Sequence, residues 1–281
     1  MFPNSVILQF DTGNLFDNSD AADVKNEAYM EAFNKFSLNA INISEREMYV
    51  GYDRVLKYQE KAKFDFLSAN IVYEKSEKPA FKPYTIIVKD IPKIGKMRIG
   101  VIGLTRHVAS MWGTGKEERL KVMDFVKVSK EIVSKIRNKV DLLIILGHFD
   151  KNDARHLVEQ VPGIDMILAS FGAIRTIEPY KVNNTDIFYN GFQGRWIGEL
   201  RIFLDKKKKI ASIKNDYIYL DKQYPIDEEM NDFVEIANQK ASDAIVKLRQ
   251  EQQRKAMEEA KKLRKEEEQK QKQDNQEQLP R

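Results

Sequence analysis

No cysteine occurs in the sequence. That excludes disulfides, thiolate zinc sites and cysteine nucleophiles, and it leaves the compartment open, because exported proteins can also lack cysteine. No apolar run reaches the roughly 18 residues of a membrane span. Met1 to Phe10 lacks the basic start and long apolar stretch of a signal peptide, so the chain as written reads as soluble and unaddressed. A surplus of one charge is missing as well. The 47 Lys and Arg interleave with 43 Asp and Glu for a net +4, which implies no nucleic-acid partner. Histidine is limited to three residues, His107, His148 and His156.

What is present suits one sizeable core with an appendage: 281 residues, 42% hydrophobic and 32% charged. Up to about Lys222, short β-rich apolar runs alternate with amphipathic segments, the pattern of a layered α/β domain. The runs predict strands at Ser5 to Phe10, Ala40 to Ile43, Phe66 to Ala69, Tyr84 to Val88, Met97 to Ile102, Asp141 to Leu146, Met166 to Leu168, Ile187 to Asn190 and Ile197 to Leu204. Helical spacing predicts helices at Ala22 to Phe36, Asp53 to Lys63, Val122 to Lys139 and Asn152 to Val161, each with one face for a sheet. The later strands come closer together and read as antiparallel. A sheet-on-sheet sandwich flanked by helices accommodates both halves.

Residues 1–222 are therefore read as one domain and residues 223–281 as a charged helix or tail. Beyond Tyr224-Pro225 the composition turns to Glu, Lys, Gln, Arg and Ala, without Gly and without Pro until Pro280. Phe233, Ile236, Ala237, Ala241, Ile245 and Leu248 recur at helical spacing, enough to lie on the domain or on a partner helix. Glu251 with Lys255 and Glu258 with Lys262 then support a solvated helix. A frayed charged tail is the simpler reading, and no sustained coiled-coil heptad is present.

The chemistry-bearing segments follow in order. Asp11-Thr12-Gly13-Asn14-Leu15-Phe16 follows the first strand, where a glycine turn presents a side chain at the carboxyl edge of the sheet. A strand then ends in Ser44-Glu45-Arg46-Glu47. Phe66 to Ile71, Arg98 to Thr105, Asp141 to His148, Val161-Pro162-Gly163-Ile164-Asp165 and the run from Asp165 to Ala173 complete the series. Together, from about Val6 to Asp221, they resemble the catalytic domain of the bacterial 5'-nucleotidase family, within the calcineurin-like metallophosphoesterases.

The resemblance implies a four-layer α/β/β/α domain with two divalent cations held at strand ends, where they polarise a phosphate and activate water. The residues depart from that pattern. The bridging carboxylate of the family falls on Asn14, a neutral amide. Its Gly-Asn-His-Glu falls on Ser44-Glu45-Arg46-Glu47, so Glu45 stands at a metal-ligand position and Arg46 at the catalytic imidazole. Its Gly-His-x-His falls on Ser170-Phe171-Gly172-Ala173, which removes both imidazoles, at Phe171 and Ala173. Only His148 matches its family ligand directly. The family's opening strand, with its Asp-x-His pair, has no counterpart before Asn14, so the chain is read as N-terminally incomplete or as having lost a core strand.

Each residue also has a plain structural reading. His148 can be a structural histidine at a strand end, and Asn14 can serve turn hydrogen bonds. Glu45, Arg46 and Glu47 can form a solvated loop with Arg46 bridging the two acids, or Arg46 can hold an anion where metals held phosphate. Phe171 can plug the vacated cavity, while Lys206 to Lys209 read as a hairpin turn. Three functions stay open. One is a non-catalytic phosphatase-family domain used for binding or as a scaffold. Another is a phosphoesterase with a rearranged site of Asp11, Asn14, Glu45, Glu47 and His148. The last is a spacer acting through the helix. The implied cofactor shrinks to one divalent cation, Mg²⁺, Mn²⁺ or Zn²⁺, or to none. Implied partners are a phosphate-containing small molecule and a protein on the helix, with the periplasm or cell envelope as compartment if the N-terminus is incomplete, and otherwise the cytoplasm.

Overall fold

The computed structural model describes residues 5–113, 118–191 and 193–277. The unaddressed start, Met1 to Asn4, and Pro280 lie outside the described residues. The strands are β1 (Phe10–Asp11), β2 (Ala40–Asn42), β3 (Asp65–Leu67), β4 (Ile71–Tyr73), β5 (Tyr84–Ile91), β6 (Gly95–Thr105) and β7 (Met111–Gly113). They continue with β8 (Arg119–Val122), β9 (Leu142–His148), β10 (Met166–Ser170), β11 (Tyr180–Val182), β12 (Thr185–Tyr189), β13 (Trp196–Leu204) and β14 (Ile210–Tyr219). The helices are α1 (Ala22–Lys35), α2 (Tyr52–Lys61), α3 (Phe125–Ile136), α4 (Lys151–Gln160) and α5 (Glu228–Glu277).

Two sheets carry the domain. A three-stranded sheet runs β1-β2-β3, all parallel, and a six-stranded sheet runs β11-β12-β10-β9-β6-β5. The hairpin β13-β14 and the small sheet β4-β8-β7 stand beside them. Four layers follow from where the apolar residues go. Met30 of α1 with Val55 and Tyr58 of α2 cover one face of the three-stranded sheet at Ile41 and Phe66. Its other face, through Ala40 and Leu67, meets Ile99, Val101, Ile144 and Met166 of the larger sheet. Ile132 and Ile136 of α3 and Leu157 of α4 close the far side on Ile145 and Ile167. The strands β9 and β10 are hydrophobic on both faces because both faces are covered. The expected α/β/β/α layering is thus what the chain forms.

The later strands correct the sequence reading. β10 pairs parallel with both β9 and β12, and only β11-β12 and β13-β14 are antiparallel there. Closeness in sequence suggested hairpins, but the stretch from Phe171 to Val182 makes room for a crossover. The short β4, β7, β8 and β11 and the long β14 were not foreseen. The first strand contracts to Phe10–Asp11.

This arrangement brings one set of strand ends together. β6 and β9 run parallel with Thr105 opposite His148, and β9 and β10 run parallel with His148 opposite Ser170. The carboxyl ends of β1 and β2 close the same edge, since the Asn42 Nδ2 donates to Thr12 O at 3.1 Å and Leu104 O at 2.9 Å.

The chain divides into two compact units, Met1–Asp17 with Asn26–Ile226, and Asn18–Lys25 with Asp227–Arg281. In the second, α5 is one helix of 50 residues, roughly 75 Å long at ~1.5 Å per residue. Its first turn is capped by Asp227, whose carboxylate accepts from Met230 N at 3.1 Å. Ala241 is buried, and Phe233, Ala237, Ile245 and Leu248 are half-buried. The Glu251–Lys255 pair forms at 2.8 Å. Among the described residues no helix is long and apolar enough to cross a membrane.

Candidate functional site

The loop after β1 turns on Gly13 and Asn14, whose φ values of 96° and 65° are both left-handed. Glycine takes that conformation freely and Asn tolerates it through its short polar side chain. A side chain at residue 13 would also bring a Cβ to 3.0 Å from Asn42 O. Asp11 Oδ1 accepts from Gly13 N at 2.8 Å, so the carboxylate closes its own turn.

Glu47 staples this loop to the one after β2. Its Oε1 accepts from Leu15 N at 2.6 Å, and its Oε2 accepts from Ser44 N at 2.9 Å and Ser44 Oγ at 2.6 Å. Glu45 and Glu47 are both buried. The solvated-loop reading is therefore corrected: the two acids point inward because backbone N–H groups and hydroxyls await them there. Arg46 is exposed and bridges neither acid. Its Nε donates to Asn14 Oδ1 at 3.3 Å, and its guanidinium lies 5.2 Å from the Tyr49 ring centre.

A second network lies at the ends of β6 and β9. His148 Nδ1 is 3.0 Å from Glu45 Oε2, and both side chains are buried. The Thr105 hydroxyl donates to the same Glu45 oxygen, and Glu45 N donates back to Thr105 Oγ1 at 3.1 Å. Asn70 fixes Thr105 in turn, accepting from its N at 3.0 Å and donating to its O at 2.8 Å. Above His148 sits Phe171, with ring centres 5.6 Å apart, and the Arg106 guanidinium lies 5.2 Å from the Phe171 ring centre. Ala173 is exposed and joins neither network.

Electrostatics separate the two carboxylates that face these networks. Burial pushes the Asp11 carboxyl up to about 6, against the pull of the Gly13 N–H, and the negative Glu47 adds to the rise. Burial works to raise Glu45 too, but the hydrogen bond and charge of His148, with the Thr105 hydroxyl, outweigh it and hold Glu45 below the ordinary glutamate value.

The structure thus unites Glu45 with His148 under Phe171, and Asn14 with Arg46. Sequence reasoning did not single out Thr105, Asn70, Asn42 or Arg106. The available signal was a polar residue at the end of an apolar strand, as in Leu104-Thr105 and Ala69-Asn70. As a donor set for cations the arrangement is poor. Among the described residues no three His, Cys, Asp or Glu side chains gather around a point that could hold a metal ion. The facing atoms of Glu45 and His148 are spent on each other, and the guanidinium beside Asn14 repels a cation.

No family model matches the chain. A curated relative, the 2',3'-cyclic-nucleotide 2'-phosphodiesterase/3'-nucleotidase of Yersinia enterocolitica, is 30% identical over 169 residues, 54% of this chain and 25% of its own length. The chain therefore spans about a quarter of that relative. Among solved structures, the sulfate thiohydrolase SoxB of Thermus thermophilus superposes with a TM-score of 0.71 at 23% identity, over 84% of this chain and 43% of SoxB. A 5'-nucleotidase precursor, also of Thermus thermophilus, gives 0.69 at 17% identity, over 84% and 50%. The calcineurin-like phosphoesterase YfkN of Bacillus subtilis gives 0.67 at 17% identity, over 83% of each chain. At these identities the structures speak for the fold. The chain is thus similar in sequence, over 169 residues, to a bacterial 2',3'-cyclic-nucleotide 2'-phosphodiesterase/3'-nucleotidase, and it has the calcineurin-like metallophosphoesterase fold.

Proposed function

We propose that this chain is a metallophosphoesterase-fold domain that binds a phosphate-bearing small molecule and does not turn it over. The observation that carries the reading is the contact of 3.0 Å between His148 and Glu45 at the strand ends where the family resemblance puts metal ligands. A carboxylate and an imidazole that satisfy each other, with a threonine hydroxyl as third partner, form a closed internal network. Asn14, Phe171 and Ala173 supply a neutral amide, an apolar ring and a methyl group at the other expected ligand positions. Two cations need several anionic and imidazole donors converging on them, and this set does not fit them.

In this reading the exposed Arg46, positioned by Asn14, supplies the charge that the cations otherwise supply, as a fork for phosphate oxygens. The helix α5 gives the domain a means of joining a protein partner. The periplasm or cell envelope is the compartment that the family suggests. The test is calorimetric titration of the metal-free protein with inorganic phosphate and AMP. Binding that Arg46→Ala abolishes supports the reading, and no binding by the unaltered protein overturns it.

A second reading, a phosphoesterase with one Mg²⁺, Mn²⁺ or Zn²⁺ among Asp11, Asn14, Glu45, Glu47 and His148, is favoured by Asp11. A carboxyl raised to about 6 at a strand end can exchange a proton near neutral pH. Release of phosphate from AMP that depends on added Mn²⁺ and disappears in Asp11→Asn is its signature.

A further inference from the structure

At the end of the domain opposite the site, the amino ends of β6 and β9 meet three chain reversals that all carry lysine. The β5–β6 turn brings Lys93 and Lys96, the segment after α3 brings Lys139, and the β13–β14 turn brings Lys206 to Lys209. The sequence marks the last of these only as a turn, which it is. Lys208 Nζ nonetheless ties it to the β5–β6 turn by donating to Lys96 O at 2.5 Å, and it forms an ion pair with Asp141 Oδ1 at 3.7 Å. An open cleft lined by Arg98, Lys139 and Asp141 lies at the same strand ends.

The acids on this face are mostly committed elsewhere. Asp141 Oδ2 accepts from Arg98 N at 2.7 Å, and its other oxygen faces Lys208. Asp205 accepts from Lys207 N and Lys209 N, both at 2.8 Å, so it holds its turn. Asp165 pairs with Arg137 at 3.2 Å. Asp90, opposite Lys96 in the strand register, is the remaining exposed acid. Among the described residues Lys93, Lys96, Arg98, Lys139, Lys207 and Lys209 are exposed and none is in ion-pair contact with a carboxylate. Val88, opposite Arg98 in the register, is 53% exposed.

We propose that this face docks the domain onto an anionic lipid bilayer. Lysine is a compact, flexible charge that suits a diffuse negative surface, and clusters of this size are attracted to acidic headgroups. Five of the six exposed bases are lysine and one is arginine, which suits a diffuse layer of acidic headgroups better than forked recognition of single phosphates along a nucleic-acid backbone. β9 spans seven residues between this face and His148, about 20 Å at ~3.3 Å per residue, so docking leaves the site open on the far side.

The test is co-sedimentation of the full chain with vesicles of phosphatidylcholine containing phosphatidylglycerol, against pure phosphatidylcholine, over rising salt. The triple variant Lys96→Glu, Lys139→Glu, Lys207→Glu is compared with a control triple, Lys57→Glu, Lys75→Glu, Lys130→Glu, which carries the same charge change on exposed positions elsewhere. Each lysine near an acidic surface is worth about fivefold in affinity, so the first triple loses at least about 100-fold. The proposal expects binding only to the acidic vesicles, weakening with salt, lost in the first triple and largely kept in the control. Equal loss in both triples overturns it, because net charge alone then accounts for binding. No binding to acidic vesicles overturns it too, including the case in which the first triple instead loses binding to DNA or to an acidic protein.

Discussion

His148 and Glu45, which stand 103 residues apart in the sequence, share a hydrogen bond of 3.0 Å inside the protein. Each side chain satisfies the other in a place where an unpaired charge is costly. A buried pair of this kind is weak evidence of net stabilisation, since desolvation offsets attraction, but removal of one partner strands the other.

The first prediction concerns that asymmetry. His148→Ala leaves the Glu45 carboxylate buried with the Thr105 hydroxyl as its remaining side-chain partner, and it lowers stability by about 3 kcal/mol in denaturant unfolding. Glu45→Gln in the same background recovers part of the loss, because a neutral amide replaces the stranded charge. A loss below about 1 kcal/mol in the single variant means that the contact is not buried as described.

The second concerns pH. Asp11 is raised from 3.8 to about 6 in the folded protein, so its contribution is fully present below its unfolded value and is lost as pH climbs through about 6. At neutral pH, holding this half-buried carboxylate ionised costs roughly 2 kcal/mol. Asp11→Asn therefore unfolds at higher denaturant than the unaltered protein at pH 7, and the gap closes toward pH 4. Glu45 acts in the opposite sense. Its value is lowered, so its contribution is present above the ordinary glutamate value and is lost as acid brings the pH down through the lowered one.

The third prediction tests the turn. Gly13→Ala demands a left-handed alanine and places its Cβ 3.0 Å from Asn42 O, which costs about 1–2 kcal/mol. Because Asn14 follows directly, the same substitution weakens any phosphate binding that depends on Arg46. Loss of stability without loss of phosphate binding means that the Asn14–Arg46 contact does not position the guanidinium.

How much of this was legible in the sequence divides along physical lines. The helices α1 to α4 were readable because their apolar residues recur on one face, and β6, β9 and β10 because runs such as Leu142 to Leu146 have no polar alternation. Four of the unforeseen strands, β4, β7, β8 and β11, are three or four residues long, too short for periodicity to register. The inward turn of Glu45 and Glu47 was also hidden. Their partners are backbone N–H groups, a hydroxyl and a histidine from distant segments, and a run of Ser-Glu-Arg-Glu looks solvated until the fold supplies those partners. The sequence reading made Phe171 a plug for a vacated cavity without pairing it with His148, and Thr105 and Asn70, which hold Glu45 in place, carry no motif of their own.

A fourth prediction reverses the substitutions. Asn14→Asp, Phe171→His and Ala173→His restore the metal-donor types that the family resemblance calls for at those positions, and Arg46→His removes the guanidinium that repels a cation and returns the imidazole. The combined variant gains a Mn²⁺-dependent rise in melting temperature, about 2.7 kcal/mol of stabilisation when free metal is 100-fold above its dissociation constant. The unaltered protein gains none under the same conditions. Equal metal stabilisation of both contradicts the assignment of these four positions.

The most direct measurement takes metal content and turnover from one sample. The unaltered protein is incubated with Mn²⁺ and with Zn²⁺, cleared of free metal, analysed for bound metal, and assayed with p-nitrophenyl phosphate and AMP beside His148→Ala. No stoichiometric metal, and no turnover above that of the variant, is the predicted result. Stoichiometric metal with turnover that disappears in His148→Ala contradicts the account and makes His148 and Glu45 ligands of a working centre.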